Sequence, residues 1–161
     1  SVSTDGFICG PDGYEDWISE ADFAYFKSEC EAADVIIMGA NTYKENGSLF
    51  PVVEKEHIVF TKSASQKVAQ DLLRFSDKDP VDYCRANTVK KILVAGGGQL
   101  NGTLLTAGVV TDITICVHPI ILGSGVRQFE RIDFSHKTHL VKVSEKDIGD
   151  DVVLIHYRVR P

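Results

Sequence analysis

The stretch Lys91–Gly108 reads KILVAGGGQLNGTLLTAG, and Lys90 before it completes a basic pair. Ile92–Ala95 is a short unbroken apolar run, the pattern of a strand covered on both faces. From Gln99 to Ala107, Leu100, Leu104 and Leu105 recur at helical spacing, and Gly108 is placed as a C-cap. Gly96, Gly97 and Gly98 therefore stand where a buried strand becomes a helix. Without Cβ atoms they let another group approach the backbone, and free N–H groups at a helix start attract anions. A tight turn with no ligand would use the same residues. The two common glycine fingerprints do not fit: the dinucleotide pattern needs glycine where Asn101 stands, and the phosphate-loop pattern needs lysine where Thr103 stands.

The same arrangement recurs upstream. Asp34–Met38 (DVIIM) is a buried-strand run that ends in Gly39 and Ala40-Asn41-Thr42-Tyr43, with Asn41 suited to cap the helix that follows. His57–Thr61 (HIVFT) is a third such strand, followed by Lys62 and Ser63. Three strand ends thus carry phosphate-friendly chemistry: Gly39–Thr42, Thr61–Ser63 and Gly96–Gln99. Ligands of open α/β sheets bind at the carboxyl ends of strands, so three such ends suggest a large phosphorylated ligand such as a dinucleotide.

The remaining segments read in order. Ser1–Ile8 is a first strand interrupted at Asp5-Gly6. Ser19–Glu31 is a helix with Ser19 as N-cap, Asp22 at the capping-box position and Ile18 and Phe23 as a staple. Phe23, Phe26 and Cys30 mark its buried stripe, with Asp22 at the edge, where it could simply cap its own helix. Leu72–Ser76 favours strand over a helix that includes Val68, because Asp79-Pro80 opens a new helix through Ala86. Asp112–His118 is a strand, Pro119–Gly125 (PIILGSG) an apolar, turn-rich segment that Phe129 could anchor, and Thr138–Ser144 with Val152–Val159 an antiparallel hairpin. Together these predict an α/β domain spanning 1–161: a central mixed, mainly parallel sheet of about eight strands between two helical layers, ending in an antiparallel hairpin.

Composition narrows the function classes. At 161 residues and 43% hydrophobic, the chain supports one ordinary core. A net charge of -6 argues against nucleic acid. No apolar run reaches membrane-spanning length and no signal peptide is visible. Cys9, Cys30, Cys84 and Cys116 are widely spaced, as expected of reduced thiols in a cytoplasmic protein. His57, His118, His136, His139 and His156 show no metal-ligand spacing, and no metal is expected.

DGFI, DWISEADFAYFK, VIIMGANTY, IVFTKS, ILVAGGGQLNGTLL and VHPIILGSGV, in that order, resemble the dihydrofolate-reductase-like superfamily, including stand-alone relatives of the reductase domain of bifunctional riboflavin-biosynthesis enzymes. The resemblance implies a dihydrofolate-reductase-like sandwich and hydride transfer from NADPH, with NADH open. It implies that Gly96, Gly97, Gly98, Gln99 and Leu100 line the pyrophosphate. Gly39 and Thr42 would complete that side, with Ala40 and Asn41 toward the adenosine phosphate. Thr61, Lys62 and Ser63 would flank the 2′-phosphate, and Ile8 would pack by the nicotinamide. Ala40 stands where many relatives carry arginine, and Lys62 could compensate.

For the acceptor, a small heterocycle, the resemblance implies Asp22 as the acid, with Trp17 and Phe26 around it and Cys116 as a supporting partner. An apolar setting would favour the neutral carboxyl. Asp5 is a candidate for a substrate hydroxyl, and equally a turn former before Gly6. The SxDG and HPIILGSG segments favour a riboflavin-type pyrimidine reductase. Dihydrofolate reductase is the alternative, although Glu54-Lys55-Glu56 lacks the arginine that would grip a folate tail. A nucleotide-binding protein without turnover also stays open. A homodimer through PIILGSG is implied by the riboflavin-type relatives.

Overall fold

The computed structural model describes residues 1–13, 15–63, 71–88, 90–132 and 137–160. Val68 and His136 lie outside them. The centre of the fold is β3 (Val35–Gly39), whose Val35, Ile36, Ile37 and Met38 are fully buried. β4 (Glu56–Phe60) and β6 (Ile92–Val94) flank it, and β5 (Leu73–Ser76) adds beyond β4; every pairing in this sheet is parallel. Alternation divides the side chains between two faces. Val35, Ile37, Ile58 and Phe60 meet Leu100 and Leu104 of α4 (Gly98–Thr106), with Val81 and Tyr83 of α3 (Pro80–Ala86) alongside. Ile36, Met38, Val59 and Leu73 meet Cys30 and Phe26 of α1 (Glu20–Ala32), with Tyr43 of α2 (Ala40–Asn46) nearby. The expected helical layers on both faces are present.

The expected single sheet is not. The ladders divide into that parallel sheet, a second four-stranded sheet, and a two-stranded one. In the second sheet β1 (Val2–Ser3) runs parallel to β7 (Asp112–His118), and β10 (Val153–Val159) lies antiparallel between β7 and β9 (Leu140–Asp147). β2 (Phe7–Cys9) pairs with β8 (Val126–Arg127). β1 bonds along β7, and among the described residues no ladder joins it to β6. The terminal hairpin is β9–β10, as the alternation predicts.

Local chemistry sets most boundaries. The Ser19 hydroxyl accepts the Asp22 N–H and starts α1, and the Asp79 carboxylate accepts the Val81 and Asp82 N–H groups and starts α3. Two expectations fail here. Asn41 lies inside α2, whose N-cap is Gly39 without a side-chain cap. Phe23 leaves the buried stripe of α1 and is 41% exposed. Positions 22, 26 and 30 are spaced by four, so position 23 turns to the neighbouring face.

His57 is buried beside this sheet in one tautomer. Val52 N–H donates to its Nε2 at 3.4 Å, so Nδ1 holds the proton and donates to the Lys55 carbonyl at 2.8 Å. Burial pushes its pKa down, and the bond to Lys55 only partly offsets this. The unfolded chain then takes up a proton near pH 6.5 and the folded chain at lower pH. Stability carried by neutral His57 is present above about pH 6.5 and is lost as pH falls through the folded pKa. Urea midpoints from pH 7 to 5 should decline more steeply for the wild type than for His57→Gln.

Candidate active site

The carboxyl ends of β4, β3 and β6 lie side by side and put the three phosphate-suited junctions together. The Gly39 N–H donates to the Gly96 carbonyl at 2.8 Å, and the Ala95 N–H to the Ile37 carbonyl at 2.8 Å, so the β3 and β6 ends are locked in register. Gly97 is where absence of a side chain matters most. A Cβ there would stand 3.0 Å from the Thr42 Oγ1 and 3.9 Å from the Ile8 Cδ1. Thr42 and Ile8 thus close on the glycine turn from two sides. α4 begins at Gly98 with no side-chain cap, so its first-turn N–H groups keep their anion affinity.

Beside this cradle is a cleft of about 460 Å³, whose lining includes Ala40, Asn41, Thr61 and Ser63. The Thr61 and Ser63 hydroxyls are 3.2 Å apart. Lys62 is exposed and is not part of the wall. Lys44 is, one turn along α2 from Ala40. The spacing of four from Ala40 was the sequence signal for it.

Two residues of the glycine segment have other work. A Cβ on Gly98 would collide with the Arg127 carbonyl, so its bareness serves packing against the segment after β8. The Leu100 side chain is buried in the core against Leu104 and Ile37, leaving only its backbone toward the cradle. Gln99 is exposed.

The expected acceptor residues gather around a buried pair and line neither open cleft. Asp22 is 3% exposed, and its Oδ2 is 2.7 Å from Nε2 of His118, itself 2% exposed. Trp17 packs its ring edge-on against His118, centroids 4.9 Å apart, and its buried Nε1 has no partner among the described residues. Burial opposes charge on Asp22, yet side-chain hydrogen bonds from His118, Ser1 and Cys116 favour the carboxylate, and its pKa lies below the usual range. The expectation of a neutral Asp22 is thereby corrected: the surroundings are polar. Cys116 does support Asp22, and burial followed by the Asp22 charge pushes its thiol up to about 12. Phe26 packs into the core.

Asp5 clamps a loop. Its carboxylate accepts from the Ser3 hydroxyl at 2.6 Å and from the Leu122 and Gly123 N–H groups at 3.1 and 2.8 Å. The Ser3 bond, the two N–H groups and its own backbone hold its pKa below the usual value against burial. The bonds from Leu122 and Gly123 tie Asp5 to the PIILGSG segment.

The open space near α1 is instead a cleft of about 610 Å³ on its other face, lined by Glu15, Ile18, Phe23, Lys27, Asn46 and Leu49 among others. Phe23, Ser19 and Lys27 fall at spacing four on that face. The sequence reads Ser19 as a cap and Phe23 as buried, and the packing of Asn46 and Leu49 nearby makes this face a cleft wall. Among the described residues no three His, Cys, Asp or Glu side chains gather to hold a metal, and no helix is long and apolar enough to cross a membrane.

Known proteins share this architecture. Over 98% of this chain and 93% of its own length, the uncharacterized protein YwjB of Bacillus subtilis (strain 168) is 29% identical. A diaminohydroxyphosphoribosylaminopyrimidine deaminase/5-amino-6-(5-phosphoribosylamino)uracil reductase from Thermotoga maritima superposes with a TM-score of 0.76 at 18% identity, covering 99% of this chain and 54% of that one. Dihydrofolate reductase from Enterococcus faecalis, complexed with NADP(H), superposes with a TM-score of 0.71 at 17% identity, covering 99% and 93%. At those identities the two structures share the fold. The sequence itself matches the RibD C-terminal domain over residues 46–154, a span that runs from the end of α2 through the glycine turn to β10. With most of the chain inside that match, and the glycine cradle within it, the protein belongs to the RibD C-terminal domain family.

Proposed function

We propose that this chain is a reductase that moves a hydride from NADPH to a pyrimidine-type heterocycle, most like 5-amino-6-(5-phosphoribosylamino)uracil reductase. The observation that carries this reading is the side-by-side ends of β4, β3 and β6, with Thr42 and Ile8 closing on the bare Gly97. That geometry suits an extended phosphorylated ligand, and the family membership supports reduction as the chemistry. The first turn of α4 and Thr42 hold the pyrophosphate. Asn41, Thr61 and Ser63 take the adenosine side, and Lys44 supplies the cation that Ala40 lacks, which favours NADPH over NADH. When bound, the reduced nicotinamide supplies the hydride; the protein supplies orientation. The acceptor occupies the cleft along α1, where Lys27 offers a charge for a substrate phosphate. Lys55, the expected grip for a folate tail, is not among that cleft's lining residues, which favours the pyrimidine over dihydrofolate. The exposed apolar side chain of Ile121, in the PIILGSG segment, suits a homodimer.

NADPH oxidation at 340 nm against a panel of pyrimidines and dihydrofolate tests the reading, with NADPH affinity measured by fluorescence. Turnover is expected with a pyrimidine. Gly97 has a φ of -87°, which alanine adopts without strain, so Gly97→Ala should fold. Its methyl would crowd Thr42 and weaken NADPH by about 1.4 kcal/mol, tenfold in Kd. Unchanged affinity in that variant moves the coenzyme away from the glycine turn, and NADPH that is neither bound nor oxidised ends the proposal.

A further inference from the structure

We infer that Glu15 is the proton-donating acid of the acceptor cleft, an inference that rests on the reductase reading above. Asp22, the carboxylate the sequence suggests for this role, lies in a closed pair with His118 and lines neither cleft. Glu15 lines the cleft along α1, where Ile18, Phe23, Ala24 and Leu49 make much of the surface apolar. Phe23 and Leu49 are 41% and 53% exposed, so this apolar wall is open to an incoming ring.

Two observations put the Glu15 carboxyl at the boundary between the two clefts. Its Oε1 takes a hydrogen bond from Asn46 Nδ2 at 3.4 Å, at the end of α2. The residues on either side of Asn46, Glu45 and Gly47, line the coenzyme-side cleft, while Asn46 lines the acceptor cleft. The charged and titratable groups around Glu15 are Glu45 and Cys9, with Glu20 and Lys27 farther along the cleft. Burial raises its pKa first and Glu45 adds to this, against the Asn46 bond; the balance is a carboxyl that keeps its proton to higher pH than usual. That is the property a proton donor near neutral pH needs.

The step balances with an acceptor that holds a C=N bond. Hydride from the dihydronicotinamide forms a C–H bond at carbon as the C=N π bond breaks. Glu15 gives its proton to nitrogen to form N–H. The coenzyme is oxidised by two electrons, the acceptor is reduced by two, and the Glu15 carboxylate regains a proton from water.

The test compares the wild type with Glu15→Gln, Glu15→Asp and Asp22→Asn, in NADPH oxidation with a C=N-containing pyrimidine from pH 5 to 9. In the wild type kcat should be high at low pH and fall as pH rises through the Glu15 pKa. Glu15→Gln should lower kcat by about 100-fold or more, lose that limb, and bind NADPH as the wild type does. Glu15→Asp should recover part of kcat and keep a limb. Asp22→Asn should keep the limb and lower the melting temperature. A Glu15→Gln enzyme with kcat within about twofold of wild type, or loss of the limb in Asp22→Asn alone, overturns the assignment and leaves the reductase reading standing. A wild type that binds NADPH and reduces no C=N compound overturns both.

Discussion

Replacing His118 with alanine is expected to lower stability by about 3 kcal/mol, because it leaves the buried Asp22 carboxylate without its hydrogen-bond partner. In a chain of this length that corresponds to a fall in melting temperature of about 10 °C. The reason is specific to Asp22. Its carboxylate is almost wholly enclosed, 2.7 Å from Nε2 of His118. Alanine at 118 leaves that charge facing a cavity and removes the ring on which Trp17 packs edge-on. Asp22→Asn alone should cost less, because an amide tolerates burial better than an unpaired charge. A double-mutant cycle should show coupling of at least about 0.5 kcal/mol, as contacting residues do. The pH dependence follows from the direction of the Asp22 shift. Its folded pKa lies below the unfolded value, so its stabilisation is present above about pH 4 and is lost as pH falls through the folded pKa. In His118→Ala the acid-induced loss should begin at higher pH, since a hydrogen bond that favours the charged form is gone. Urea unfolding from pH 3 to 7 for both proteins measures this; identical acid limbs would show that the pair does not set the Asp22 ionisation.

Gly102→Ala should also be severe, although alanine is ordinarily the better helix residue by about 1 kcal/mol. A Cβ at Gly102 would overlap the Glu130 carbonyl oxygen and stand 2.9 Å from its carbon and 3.2 Å from its nitrogen. These are backbone atoms, so no rotamer change relieves the overlap. The segment after β8 must move bodily, against the bond from the Glu130 N–H to the Gly98 carbonyl at 2.9 Å. Overpacking of about 3 kcal/mol against the helix gain leaves a net loss of about 2 kcal/mol. Gly98→Ala meets the Arg127 carbonyl in the same way and should shift the first turn of α4, weakening NADPH as well as stability. Gly108→Ala is the contrast. Nothing lies within 4 Å of its Cβ position, and only its φ of +67° opposes the change, so its loss should stay near 1 kcal/mol. Thermal melts of the three variants rank them; equal losses would mean that close packing against residues 127–130 is not what these glycines serve.

The two families of glycine effect explain what could be read from the chain. Runs such as VIIMG and ILVAGGG announce buried strands that turn at glycine, because continuous apolar residues and a bare backbone are both local properties. Helix starts at Ser19 and Asp79 were legible for the same reason: a cap bonds within three residues of itself. The use of each glycine was not legible. Gly97 faces Thr42 and Ile8, while Gly98 and Gly102 face Arg127 and Glu130, and these partners are distant in sequence.

The acceptor side shows the same limit more sharply. Asp22 after Trp17 reads as an active-site acid, but its surroundings depend on His118, 96 positions away. Nothing in the helix pattern reports that His118 reaches across from the end of β7 and makes the site polar. Phe23 reads as part of the buried stripe of α1, and it lines a cleft with Lys27, Asn46 and Leu49 instead. The sequence by itself determined the main strands and helices and the strand ends suited to phosphate, since each depends on neighbours a few residues apart. Only the tertiary structure decided which carboxylate faces open space and which is sealed in a pair, because burial and charge pairing are set by groups that chain order does not bring together.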